Sequence, residues 1–128
     1  MAKTLLEKMF LKPDYSVAII HVPGELQTDL KTENKTENEL NNLYNFILAF
    51  YSNKEAFEKE VEELKTSLIT NGLLWIAYPK AKALRTDLNR DILHETAKNF
   101  GLDGVSIISL NETWSAMIFK IAKLEEKV

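Results

Sequence analysis

Lys80, Lys82 and Arg85 stand close together just ahead of Thr86-Asp87 and a stretch of helical spacing. Cations beside the free amides of a helix N-terminus attract an anion such as a phosphate or carboxylate. Glu112 and Trp114 fall on the same predicted edge, where the indole either caps the end of the sheet, the commoner role of such a residue, or forms the wall of a shallow pocket for stacking. The competing reading is a solvated basic loop in which Asp87 occupies the helix amides itself. His21, between an apolar run and Pro23, has the chemistry of a general base with Glu25 or Glu112 on the same edge. A histidine at a strand end also serves as an ordinary hydrogen-bonding residue, and His94 sits at the boundary of a predicted helix face. There is no Ser-His-Asp order, no metal-spaced carboxylate pair and no HExxH, so no catalytic set is assigned.

Composition narrows the chemistry further. With no cysteine and two histidines, disulfides, thiolate zinc sites, iron–sulfur clusters and cysteine nucleophiles are excluded, and no metal is expected. Sixteen Lys and Arg against nineteen Asp and Glu give a net charge of −3, which argues against a nucleic-acid-binding domain. The first apolar run ends in Pro23-Gly24-Glu25 with no glycine-rich turn, so no dinucleotide or methyl-donor cofactor is expected. The longest apolar run, Leu73 to Tyr78, is far below the ~18 residues of a membrane span, and a cytoplasmic location is the expectation.

The elements that must position these residues follow from periodicity. Leu5, Leu6, Met9 and Phe10 have helical spacing, and Tyr15–Val22 is β-branched and nearly continuous, as in a strand covered on both faces. A polar excursion over 25–42 carries a direct duplication, Lys31-Thr-Glu-Asn34 and Lys35-Thr-Glu-Asn38, to which no function is given. Phe46–Tyr51 is a second strand. Ser52 or Asn53 caps a helix with Phe57, Val61, Leu64 and Leu68 inward and Asn71-Gly72 as its stop. Leu73–Tyr78 is a third strand, and Thr86 or Asp87 caps a second helix ending at Gly101. Val105–Leu110 and Ala116–Ala122 form a closing hairpin around Asn111–Ser115.

This order predicts one α/β domain over 1–128, with helices packed on a mixed five-stranded sheet in the order 1-2-3-5-4, parallel except for its last strand. The element order resembles the C-terminal half of a Rossmann-like methyltransferase sheet. With strands adding in one direction, no central reversal is expected. Strand 1 is then an edge, and pairing of that edge with a second copy is the homodimer contact expected.

Gly72-Leu-Leu-Trp-Ile-Ala-Tyr-Pro-Lys80, Thr86-Asp87-Leu88 with Asp91, Gly101-Leu102 and Glu112-Thr113-Trp114-Ser115 resemble the DUF3052-like family of small bacterial proteins. The family carries no assigned activity. Its Trp-x-x-x-Pro-Lys pattern falls on Trp75, Pro79 and Lys80, and its Asp-Glu-Thr-Trp-Ser on 111–115, where Asn111 replaces Asp. An acid serving there as base or ligand would be lost, whereas an Asx-turn accepts Asn equally. The sequence thus favours a non-catalytic interaction or self-association module. The alternative is a small-anion or nucleotide-binding protein, enzyme or not, with its site at Lys80, Lys82, Arg85, Thr86, Asp87, Glu112 and Trp114 on the carboxyl edge of the sheet.

Overall fold

The computed structural model describes residues 4–80 and 87–121. In chain order the elements are α1 (Leu5–Lys8), β1 (Val17–Ile20), a single 3-10 turn (Gly24–Leu26), β2 (Thr36–Glu37) and β3 (Tyr44–Phe50). They continue with α2 (Lys54–Thr66), β4 (Leu68–Pro79), α3 (Arg90–Lys98), β5 (Leu102–Ser109) and β6 (Trp114–Ile121). One six-stranded sheet runs β2-β1-β3-β4-β6-β5, in which β6 pairs antiparallel with β4 and β5 and the other pairings are parallel.

The expected order of five strands is present within this sheet, and the insertion of the last strand between its two predecessors is as the sequence implies. The sixth strand is the correction. Thr36 and Glu37, in the second copy of the duplicated tetrapeptide, pair in parallel with Val17 and Ala18. The reason is a staple in the first copy. Asn34 Nδ2 lies 2.9, 3.2 and 2.8 Å from the carbonyls of Lys12, Pro13 and Tyr15, while its Oδ1 accepts from the Thr32 hydroxyl at 2.8 Å. That anchorage brings the Lys35 carbonyl to the Val17 amide at 3.2 Å and starts the ladder.

Both long helices cover one face. Phe57, Val61 and Leu64 of α2 and Leu93 and Ala97 of α3 pack on Ile20, Ile47, Ile76, Met117 and Phe119. Asn53 caps α2 as expected, accepting from the Ala56 amide at 2.8 Å. α2 ends earlier than its apolar spacing suggests, at Thr66, and Leu68 belongs to β4. Asn71, at φ 65°, and Gly72 lie inside β4, where the register with β3 shifts between Tyr44 and Phe46. A side chain at 72 would meet Leu68 at 2.8 Å, so the bulge requires glycine there.

Among the described residues the other face has no long helix. Leu6, Met9 and Leu11 from the N-terminal segment and Leu26 and Leu30 from the excursion cover Val17, Ile19, Phe46, Leu48 and Trp75. Trp75 Nε1 donates to the Met9 carbonyl at 3.1 Å, fixing this lid to the sheet centre. Among the described residues no helix is long and apolar enough to cross a membrane.

The staple yields a test. Asn34→Ala leaves three carbonyls short of a donor and should cost about 1–3 kcal/mol in urea denaturation, with faster exchange of the Val17 amide. Asn38→Ala, in the second copy, should leave both unchanged.

Candidate functional site

β2 lies on one side of β1 and β3 on the other, so strand order reverses at β1. The expectation of a missing reversal is thereby corrected. So is the expectation of β1 as an edge: its outer edge is already paired at Val17 and Ala18, and the sheet ends at β2. In open α/β sheets the reversal opens a crevice beyond the carboxyl ends of the strands, the usual place for a ligand.

His21 leaves β1 at that point with φ 60°. Positive φ is uncommon outside glycine, though histidine is among the residues that tolerate it, and it costs on the order of 1–3 kcal/mol. Strand alternation would put residue 21 on the face of Ile19, away from α2. The left-handed turn brings the ring round to α2, where Nε2 lies 2.9 and 3.1 Å from the two carboxylate oxygens of Glu60. Tyr51, just past β3, donates its hydroxyl to the same Glu60 at 2.7 Å and meets the His21 ring edge-on at 5.6 Å. Burial, together with the Glu60 hydrogen bond and charge, pushes the Tyr51 phenol far above its ordinary pKa, so it stays a donor.

A cavity of about 420 Å³ opens here, bordered by His21, Pro23, Tyr51, Ser52, Glu60 and Trp114. Trp114 is 8% exposed and stands edge-on to Phe50 at 5.3 Å. It forms the buried floor, and the half-exposed His21 and Glu60 side chains form the rim.

On the β2 side of β1 a second cavity of about 560 Å³ has an apolar floor of Ile19, Val22 and Leu30, with Glu37, Asn38 and Asn41 around it. Glu37 accepts from the Tyr44 hydroxyl and from Asn42 Nδ2 at 3.2 Å. The Tyr44 bond, then the Asn42 bond and the charge of Lys35, hold its carboxyl below the usual carboxylate range. Gly24 begins the 3-10 turn just after β1. A Cβ there would meet nothing within 4 Å, and its φ is not left-handed, so neither packing nor backbone demands glycine.

Of the residues singled out in the sequence, Lys80, Asp87, Glu112 and Trp114 lie among the described residues. Lys82, Arg85 and Thr86 lie outside the described residues. Lys80 donates its ammonium to the Ser109 hydroxyl at 2.7 Å and its amide to the Thr113 carbonyl, tying the end of β4 to the hairpin. Asp87 does not cap the helix that follows it. Asn89 does, accepting from the Ile92 amide at 3.0 Å, while Asp87 Oδ1 accepts the Lys54 amide at the start of α2. Glu112 is exposed on the hairpin. Asn111 makes the Asx-turn, its Oδ1 accepting the amides of Thr113 and Trp114 at 2.8 Å, so Asn meets the structural demand of this position. Neither Glu25 nor Glu112 partners His21. Glu25 instead accepts from Asn111 Nδ2 at 2.8 Å. Among the described residues of the set, Trp114 lines the crevice cavity, and His21 joins it with a partner that the sequence order did not suggest.

No family model and no curated protein matches the chain, so the resemblance to the DUF3052-like family finds no support. Solved structures do match. The ribosomal protein L11 methylase of Lactobacillus delbrueckii subsp. bulgaricus superposes with a TM-score of 0.58 at 9% identity, over 92% of this chain and 75% of that one. DhpI, in its complex with SAH, gives 0.61 at 8% identity over 93% and 82%. The m1A22 tRNA methyltransferase TrmK of B. subtilis gives 0.52 at 9% identity over 96% and 67%. The chain therefore has a Rossmann-like methyltransferase fold, as its element order implies. The expectation of a non-catalytic interaction module is corrected by the same finding. The alternative, a ligand site at the carboxyl edge, is the one this fold and the crevice favour.

Glu37 provides a pH test. A carboxyl whose folded pKa is depressed contributes stability above the usual carboxylate range and loses it as pH falls through the lower folded value. Tyr44→Phe should move the Glu37 titration upward, read by carboxyl carbon shifts, and flatten the acid limb of a urea-stability profile.

Proposed function

We propose that this protein binds a nucleoside ligand of the S-adenosyl class in the crevice at the carboxyl ends of β1, β2 and β3, as a methyltransferase-like enzyme. The observation that carries this is the reversal of strand order at β1, with cavities on both sides of it. The bound form of DhpI makes S-adenosylhomocysteine the first probe.

The residues on the β2 side suit the nucleoside half of such a ligand. Glu37 ends the strand next to β1, the position from which a dinucleotide-binding sheet offers a carboxylate to ribose hydroxyls. Ile19, Val22 and Leu30 supply an apolar floor for a base, and Asn38 and Asn41 supply amides at its rim. The turn after β1 is the departure from the dinucleotide pattern. It has one glycine, Gly24, and a 3-10 turn of three residues in place of a helix, so backbone can approach a ligand at one point only. When bound, an S-adenosylmethionine sulfonium supplies the transferable methyl group. The chain's own residues supply the ribose acceptor at Glu37, the apolar floor and the amides of Asn38 and Asn41.

Calorimetric titration with S-adenosylhomocysteine, S-adenosylmethionine and adenosine tests this. Saturable binding is expected, weakened tenfold or more by Gly24→Ala and by Glu37→Gln. Gly24→Ala should leave stability equal or about 0.4–1 kcal/mol higher, because the new methyl has room and the unfolded chain loses freedom. Absence of heat with all three compounds, at concentrations well above the usual range for such ligands, overturns the proposal.

A further inference from the structure

We infer that His21, held by Glu60, is a proton-accepting group for an aromatic hydroxyl compound seated against Trp114. This goes beyond nucleoside binding, because it concerns the other side of β1 and a different ligand. Three features meet at one place. The first is the backbone of His21, at φ 60°, which turns the ring toward α2 against strand alternation. The second is the double contact of Nε2 with Glu60, 2.9 and 3.1 Å, reinforced by the Tyr51 hydroxyl on Oε1 at 2.7 Å. The third is the cavity of about 420 Å³ between this pair and the indole of Trp114.

The chemistry follows from the donor and acceptor inventory. An ionised carboxylate only accepts, so Nε2 must carry the hydrogen that Glu60 receives. The neutral ring then has its lone pair on Nδ1, and that nitrogen is the one available to a ligand. When a hydroxyl binds there, its O–H bond breaks and an N–H bond forms at Nδ1. The electron pair stays on oxygen as an aryloxide, and Glu60 faces the imidazolium produced. Tyr51 donates to Glu60 and does not compete for the ligand's proton. The titratable groups about the ring are Glu60 from α2 and Tyr51 just past β3, with Glu63 adding its charge at Tyr51. The cavity's indole and phenyl floor, Trp114 and Phe50, selects a flat aromatic body over a sugar or an aliphatic chain. His21 is the catalytic residue here, while Glu60 and Tyr51 are positioning residues.

The probe is 4-nitrophenol, whose ionised form has its own visible absorption band, added to the full chain without any nucleoside at a pH where the free dye is mostly protonated. Saturable growth of the aryloxide band is expected. His21→Asn keeps a residue that tolerates the left-handed turn and should abolish the band while circular dichroism and melting temperature stay unchanged. Glu60→Gln should reduce the band at saturation severalfold. Saturable binding by equilibrium dialysis without the band, a band that persists in His21→Asn, or no saturable binding each overturns the inference.

Discussion

The crevice depends on β1 being paired on both sides. Its four residues, Val17–Ile20, are all buried, so their amides and carbonyls need partners on each edge. β3 satisfies one edge along the whole strand, and β2 satisfies the other over two residues. Without β2 the sheet would begin at β1 and strand order would not reverse there. The two-residue strand is in turn held by a single side chain, Asn34, whose amide bridges three carbonyls of the segment that enters β1. A polar staple thus sets the point at which strand order reverses.

A similar economy appears on α2. Its buried stripe, Phe57, Val61 and Leu64, fixes the helix over the sheet, and Glu60 sits on the shoulder of that stripe. The parallel crossover from β3 to β4 lays the shoulder above the end of β1. Glu60 therefore reaches His21 and Tyr51 together, from elements 39 and 9 residues away. The carboxylate is anchored from below by a buried phenol and presents its remaining capacity at the rim.

Much of this architecture was legible in the sequence because it rests on local signals. The β-branched runs marked β1, β3 and β4, Asn53 marked the start of α2, and Gly101, at φ 80°, marked the stop after α3. The closing hairpin and its Asx-turn were legible from Asn111 and the short link. What escaped was non-local. β2 has only two residues and no apolar pattern, and its existence depends on Asn34 reaching back 19 to 22 residues. Asp87 looked like the cap of the next helix because capping is read from adjacency, yet its carboxylate serves α2 across 33 residues. The same limitation hid the site. Trp114 was visible as an aromatic in a polar hairpin, but the pairing of His21 with Glu60 follows from helix placement and from a left-handed turn that β-strand periodicity cannot announce.

The asymmetry of the two faces gives the crevice its character. Helices α2 and α3 make the first face rigid, and Glu60 stands on it. The second face is covered by short segments, fixed at the centre by the Trp75 to Met9 hydrogen bond and by Leu26 and Leu30 beneath the turn after β1. The segment that runs from His21 through Gly24 to Leu30 therefore has a firm wall behind it at Glu60 and only a few buried leucines below. A segment with little buried surface opens at low free-energy cost, whereas one locked under a long helix does not. The His21–Glu60 contact joins the first residue of that turn to α2.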